Sequence, residues 1–187
     1  MTPETIISIF LGIGLAASVG FRVFLPLFAL SLAAYFNLWE LNDNWQWIGS
    51  MAALLTLGVA SMVEILAYFI PWVDNALDTV AVPLAGIAGT AVMVSTVANL
   101  DPIVTWSLAI IAGGGTASII KGASASGRLA STVATGGLAN PVVAVAETGT
   151  AIVVTTAAVF TPMLAAVLVL LILALVFKMY RKLRPKR

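Results

Sequence analysis

Arg22, Glu64, Lys121, Arg128 and Glu147 each stand alone inside a long apolar run of this 187-residue chain. An isolated charge at the centre of a bilayer costs about 2.5–3.5 kcal/mol even on insertion scales, so such a group persists where it is paired, wetted or functional. The runs read as membrane spans because 61% of residues are hydrophobic, 9% are charged, and the mean hydropathy is +1.09. Nine basic and eight acidic residues cannot cover a soluble domain of this length with polar surface. The predicted fold is all-α: one polytopic transmembrane helical bundle spanning residues 1–187.

Six of the nine basic residues lie between Lys178 and Arg187. A basic run just beyond an apolar helix reads as a cytoplasmic anchor facing anionic lipid headgroups, which makes nucleic acid a poor alternative partner. The chain has no cysteine, which excludes disulfides, iron–sulfur clusters and thiol chemistry; without histidine, imidazole-ligated haem and most zinc sites are also excluded. No cofactor or metal is expected. The start, MTPETIIS, lacks a basic n-region and leads into an overlong apolar run, so the expectation is that it is not a cleaved signal peptide.

About six spans are expected at roughly 20 residues each. The first run, 5–36, would be roughly 48 Å long as one helix, so Gly20 and Pro26, flanking Arg22, are expected to break it. The loop NLWELNDNWQW, with Trp39, Trp45 and Trp47, reads as interfacial. Further spans are expected at 48–70, ending at Pro71, and at 79–100, where Ala85, Gly86 and Gly89 let another helix approach closely. A fourth follows Asp101-Pro102, over 103–120. The segment KGASASGRLASTVATGGLANP reads as a buried re-entrant segment or a tightly packed helix. The last run, 141–177, is too long for one span, and Thr161-Pro162 is expected to divide it. Both termini are then expected in the cytoplasm, with the Trp-rich loop outside.

GLAASVGFR, ending at Arg22, aligns with GGGTASIIK, ending at Lys121, and each is followed by a span with a lone glutamate, Glu64 or Glu147. Halves at 5–100 and 103–177 with three spans each would insert with opposite topology, a 3+3 inverted repeat of the kind that places a transporter's site between halves. By analogy of the halves, Arg22 is expected to pair with Glu64, and Glu147 with Lys121 or Arg128.

The order GLAASVGFRVFLPL, IPWVDNALDTV, KGASASGR, TGGLANP and VAVAETG resembles the uncharacterised bacterial membrane family catalogued as domain of unknown function 4126, from about residue 6 to residue 177. The resemblance implies a bacterial inner-membrane protein. It singles out Arg22, Pro26, Glu64, Asp74, Asp78, Lys121, Arg128, Asn140, Pro141 and Glu147, and it supplies no substrate.

Each candidate carries two readings. Arg22, Lys121 and Arg128 could face an anionic solute group, or could pair internally. Glu64 and Glu147 could carry protons, or be permanently salt-bridged. Asp74 and Asp78, four apart after Pro71, share a helix face and could hold a cation, although acids in a first turn commonly serve the helix dipole. Gly136, Gly137, Asn140 and Pro141 mark a backbone break that could ligate an ion or be an ordinary loop. The reading adopted is a small secondary transporter or channel-like permease for a small anionic solute, with proton coupling and self-association as further expectations. The alternative is a membrane scaffold whose charges merely pair, and a water-accessible cavity reaching the charges separates the two. An intramembrane aspartyl hydrolase built on Asp74 and Asp78 is disfavoured because the two lie close in sequence, whereas such a dyad is usually assembled from separate helices, and any other intramembrane enzyme would lack the usual catalytic imidazole and thiol.

Overall fold

The computed structural model describes residues 2–98 and 100–183, apart from the side chains of Pro71, Trp72, Asp74, Asn75, Asp78, Lys182 and Leu183. The helices are α1 (Pro3–Val19), α2 (Phe24–Tyr35), α3 (Met51–Ala67), α4 (Pro71–Thr96), α5 (Pro102–Leu108), α6 (Gly115–Thr135), α7 (Asn140–Phe160) and α8 (Pro162–Leu183). A 3-10 segment, Asp43–Gly49, leads into α3, and a π turn, Ala109–Gly114, joins α5 and α6. No strand occurs among the described residues.

Proline and short polar side chains set the boundaries. Pro3, Pro71, Pro102, Pro141 and Pro162 lie in the first turns of α1, α4, α5, α7 and α8, where the missing N–H has no helical partner to lose. Thr2, Ser50 and Asp101 cap α1, α3 and α5 by accepting from Thr5 N, Ala53 N and Ile103 N. Pro26 sits in the first turn of α2, so the break itself falls between Val19 and Phe24.

By length and composition, four segments among the described residues are able to cross a bilayer: Thr79–Thr96, Pro102–Thr135, Asn140–Phe160 and Pro162–Arg181. A fifth arises if Asp43–Gly49 and Met51–Ala67, bent by 64°, act together, while α1 and α2 are shorter apolar helices.

The first apolar run is a hairpin, not a kinked span. Along α1, Gly14 lies against Ala158 and Ala165, Ser18 bonds to Ala151 O and Thr155, and Arg22 bonds to Ala144 O and Thr148. α1 is therefore antiparallel to α7. The chain then reverses along α7, since Trp39 Nε1 donates to Val159 O at 2.9 Å, and α2 lies antiparallel to α3 with Phe28 on Gly58 and Ala34 on Gly49. The hairpin stops short inside the bundle. Gly20 meets Ile120, and α6 continues to Thr135, roughly 22 Å farther at 1.5 Å per residue.

Two expectations change with this reversal. α8 runs alongside α1, with Ala165 at Gly14 and Val169 in one cluster with Ala17, so Pro3 and Leu183 lie at opposite ends of the bundle instead of the same end. The motifs ending at Arg22 and Lys121 also run in the same direction, because Gly12 and Gly113 both meet Met93 while Gly20 packs with Ile120. Opposite insertion of those two segments, as a 3+3 repeat requires, is not what they display. Thr161-Pro162, by contrast, is a tight turn between antiparallel α7 and α8.

The serine- and glycine-rich segment differs from expectation too. It continues α6 as a regular helix, and Leu129 and Val133, at 67% and 82% exposure, face outward. Only its first half is packed. Before it, α4 crosses the π turn closely: a Cβ on Gly113 would lie 2.6 Å from Gly89 O, and one on Gly89 would lie 2.8 Å from Gly113 O. Helix backbones approach this closely only where both partners lack a side chain.

α1 forms the axis of the core, with Leu11, Leu15, Ala16, Ala17 and Val19 buried among α4, α6, α7 and α8. The basic run at the C-terminus begins within α8, which extends through Lys178 to Leu183; residues 184–187 lie outside the described residues.

Candidate functional site

The hairpin tip puts Arg22 in the interior, and every other basic residue outside the C-terminal run meets it there. Arg22, Lys121 and Arg128 are 0%, 0% and 2% exposed, and Glu64 and Glu147 are 7% and 6% exposed. Burial this deep requires that each charge be met by partners.

Arg22 donates from Nε to Thr148 Oγ1 at 2.9 Å and from Nη2 to Ala144 O at 2.8 Å, with Nη2 4.0 Å from Glu147 Oε2. Arg128, one turn beyond Ser124 on α6, reaches both oxygens of Glu147, with Nε 3.1 Å from Oε1 and Nη2 on Oε2. Ser124 Oγ also donates to Glu147 Oε1. Glu147 thus joins α6, α7 and the hairpin tip, serving two arginines.

Glu64 does something different from what was expected of it. Its Oε1 accepts from Val23 N at 2.7 Å and its Oε2 from Phe24 N at 2.9 Å, so α3 supplies the N-terminal cap that α2 lacks in its own sequence. Among the described residues, no lysine or arginine nitrogen lies within 4.0 Å of this carboxylate. The expected Arg22–Glu64 ion pair is replaced by Arg22 beside Glu147, because the reversal after Arg22 turns the free amides of α2, not the guanidinium, toward α3. Lys121 Nζ meanwhile donates to Phe21 O at 3.1 Å, at the carbonyl end of α1. A cation at a helix C-terminus and an anion at an N-terminus each match the local dipole, so the hairpin's two ends carry opposite, complementary charges.

Tyr68, the residue that sequence reasoning passed over, binds the cluster together. Its ring is 4.1 Å from Arg22 Cζ, 4.1 Å from Arg128 Cζ and 5.2 Å from Lys121 Nζ, and its hydroxyl accepts from Lys121 at 3.2 Å. Cation–π contacts strengthen when desolvated, to about 2 kcal/mol or more. The available signal was its spacing, one helical turn after Glu64 and so on the same face.

Other candidates fall elsewhere. Asn140 donates from Nδ2 to Thr132 Oγ1 at 2.9 Å and, with Gly136, Gly137 and Pro141, forms the α6–α7 connection, two turns from Glu147. Gly136 and Gly137 have φ of 63° and 88°, the left-handed conformation that ends α6. Gly20 permits the contact with Ile120 that sets Lys121 beside Phe21. The side chains of Asp74 and Asp78, in the first turns of α4, lie outside the described residues. No group of three or more acidic residues able to hold a metal occurs among the described residues.

Cavities of about 200 to 550 Å³ lie around the bundle among the described residues. The smallest, about 200 Å³, is lined by Glu64 and Tyr68.

Apolar helices of spanning length around a buried ionic centre define a polytopic, all-helical integral membrane protein. The chain belongs to the family described as Domain of unknown function (DUF4126), whose model matches residues 9–182. No curated protein and no solved structure matches it.

Proposed function

We propose that the protein is a small permease or secondary transporter for a small anionic solute, in a closed conformation. The supporting observation is that two backbone amides at the start of α2, next to Arg22 and inside the bundle, hold the carboxylate of Glu64. Amides at a helix N-terminus form a ready anion site, and broken helices within transporters present such ends to substrate. Here the protein's own carboxylate takes the solute's place. Movement of α3 relative to the hairpin tip would uncover Val23 N, Phe24 N and Arg22 together, and a proton on Glu64 would favour that movement. The basic end of α8 faces anionic headgroups at the cytoplasmic side of a plasma membrane under the positive-inside rule.

The second reading, a scaffold with internally paired charges, is favoured by one observation: Arg22, Arg128 and Glu147 are buried and packed together, with Arg128 bonded to Glu147. Flux in proteoliposomes distinguishes the two. The permease reading expects anion-dependent or pH-dependent flux that Arg22→Gln and Glu147→Gln each abolish in folded protein. Absence of flux across a broad panel of anions, cations and amphiphiles, with both variants folded, leaves the scaffold.

A further inference from the structure

We infer that Glu64 is a lipid-accessible, proton-exchanging carboxyl, open to apolar acid-reactive molecules through a side crevice, whereas Glu147 is locked in an ion pair. This deepens the permease reading by assigning the proton-handling group, and it is tested without measuring flux.

The crevice of about 200 Å³ lies between α3 and α4, with Val23 and Phe24 of the hairpin tip at its base. Its walls are apolar, and Val63, Val80 and Leu84, which line it, are 59%, 54% and 38% exposed on the outer surface of the bundle. It therefore opens sideways, toward lipid. Among its described lining residues the one acidic side chain is Glu64, whose carboxylate accepts from the amides of Val23 and Phe24. Releasing a carboxyl so held frees two amides and breaks no ion pair among the described residues. Glu147, by contrast, has both oxygens engaged by Arg128.

The charged and titratable groups around Glu64 are few. Arg22 precedes the amide donor Val23, Tyr68 is one turn on along α3, Lys121 reaches from α6 to Tyr68 and Phe21, and the Arg128–Glu147 pair lies across the Tyr68 ring. α4 carries Asp78 in this region, with its side chain outside the described residues.

Dicyclohexylcarbodiimide, an apolar reagent specific for protonated carboxyls, reports on both properties at once. The acid proton passes to one carbodiimide nitrogen as the carboxyl oxygen adds to the central carbon; the acyl group then shifts from oxygen to nitrogen, leaving a stable N-acylurea. No atom is lost and no co-reactant is required. Full-length protein in lipid vesicles is treated and its peptides are analysed by mass spectrometry. Glu64 should be modified about tenfold or more over Glu147, with a water-soluble carbodiimide correspondingly slower at Glu64, since apolar reagent concentrates on the lipid side. Ala67→Phe, which fills the crevice, should sharply reduce labelling. Equal labelling of the two glutamates, no labelling of Glu64, or unchanged labelling in folded Ala67→Phe overturns the inference, and the wild-type ratio alone decides if that variant does not fold. Labelling at Glu64 without anion flux retains this assignment and removes the permease; flux without labelling does the reverse.

Discussion

Glu64 Oε1 lies 2.7 Å from Val23 N, so a carboxylate on one helix caps the start of another that is 41 residues earlier in the chain. α2 begins without a side-chain cap of its own, and of its first amides Val23 N is buried and Phe24 N partly so. Removing the acceptor leaves two donors unsatisfied, at about 1–3 kcal/mol for a buried polar group. Glu64→Ala is expected to destabilise by that order, and Glu64→Gln by less, because its amide oxygen still accepts one bond. Unfolding in mixed micelles measures both; equal losses would contradict the capping geometry.

The Arg128–Glu147 pair predicts strong coupling. Breaking a buried pair by removing one partner typically costs about 3–5 kcal/mol, since the other charge is left uncompensated. Arg128→Ala and Glu147→Ala should each be severe, with the double variant far less than their sum. Lys178→Ala, at the exposed end of α8, should change stability by less than about 0.5 kcal/mol. Additive losses in the Arg128/Glu147 cycle would show that the two groups do not act as a unit.

Much of this centre was legible because ionisable residues are conspicuous in apolar sequence. Arg22, Lys121, Arg128, Glu64 and Glu147 are brought together, as burial cost requires. Their partners were not legible. Pairing depends on direction, and the sequence around Gly20 and Pro26 marks a break without indicating whether the chain bends or reverses. Reversal reoriented α2 and placed its amides, not Arg22, on Glu64; it also aligned the two basic motifs in the same direction. Tyr68 escaped notice because an aromatic residue near the end of an apolar helix ordinarily reads as an interfacial anchor. The small-residue segment after Lys121 was misread because serine, alanine and glycine suit close packing but do not compel it.

Glycine positions distinguish close packing from open helix. Gly113 faces Gly89 O at 2.6 Å from an added Cβ, whereas a Cβ on Gly127 would meet nothing within 4 Å. Gly113→Ala should therefore destabilise by about 1–3 kcal/mol through overpacking against backbone. Gly127→Ala, in the interior of α6, should be neutral or stabilising by up to about 1 kcal/mol from helix propensity. Thermal melts of the two variants side by side test the crossing; a neutral Gly113→Ala would mean the helices are farther apart.

The hairpin makes the most consequential prediction, because it fixes the relation of the two ends of the chain. Pro3 and the Trp-rich loop lie at one end: Ala98 N donates to Ser8 Oγ at 3.1 Å, and Asn42 Nδ2 bonds to Val94 O and Val97 O at 2.7 Å. Arg181 lies at the other end, since α8 runs with α1 and extends past it. Single cysteines introduced into the cysteine-free chain at Thr2, Asn44 and Arg181 should divide accordingly. An impermeant thiol reagent applied outside should label Thr2→Cys and Asn44→Cys in intact cells, and reach Arg181→Cys only after permeabilisation, given a cytoplasmic basic end. If Thr2→Cys and Arg181→Cys are instead labelled from the same side, α1 and α2 together make one crossing, and the amide site at Val23 and Phe24 loses the reversal that creates it.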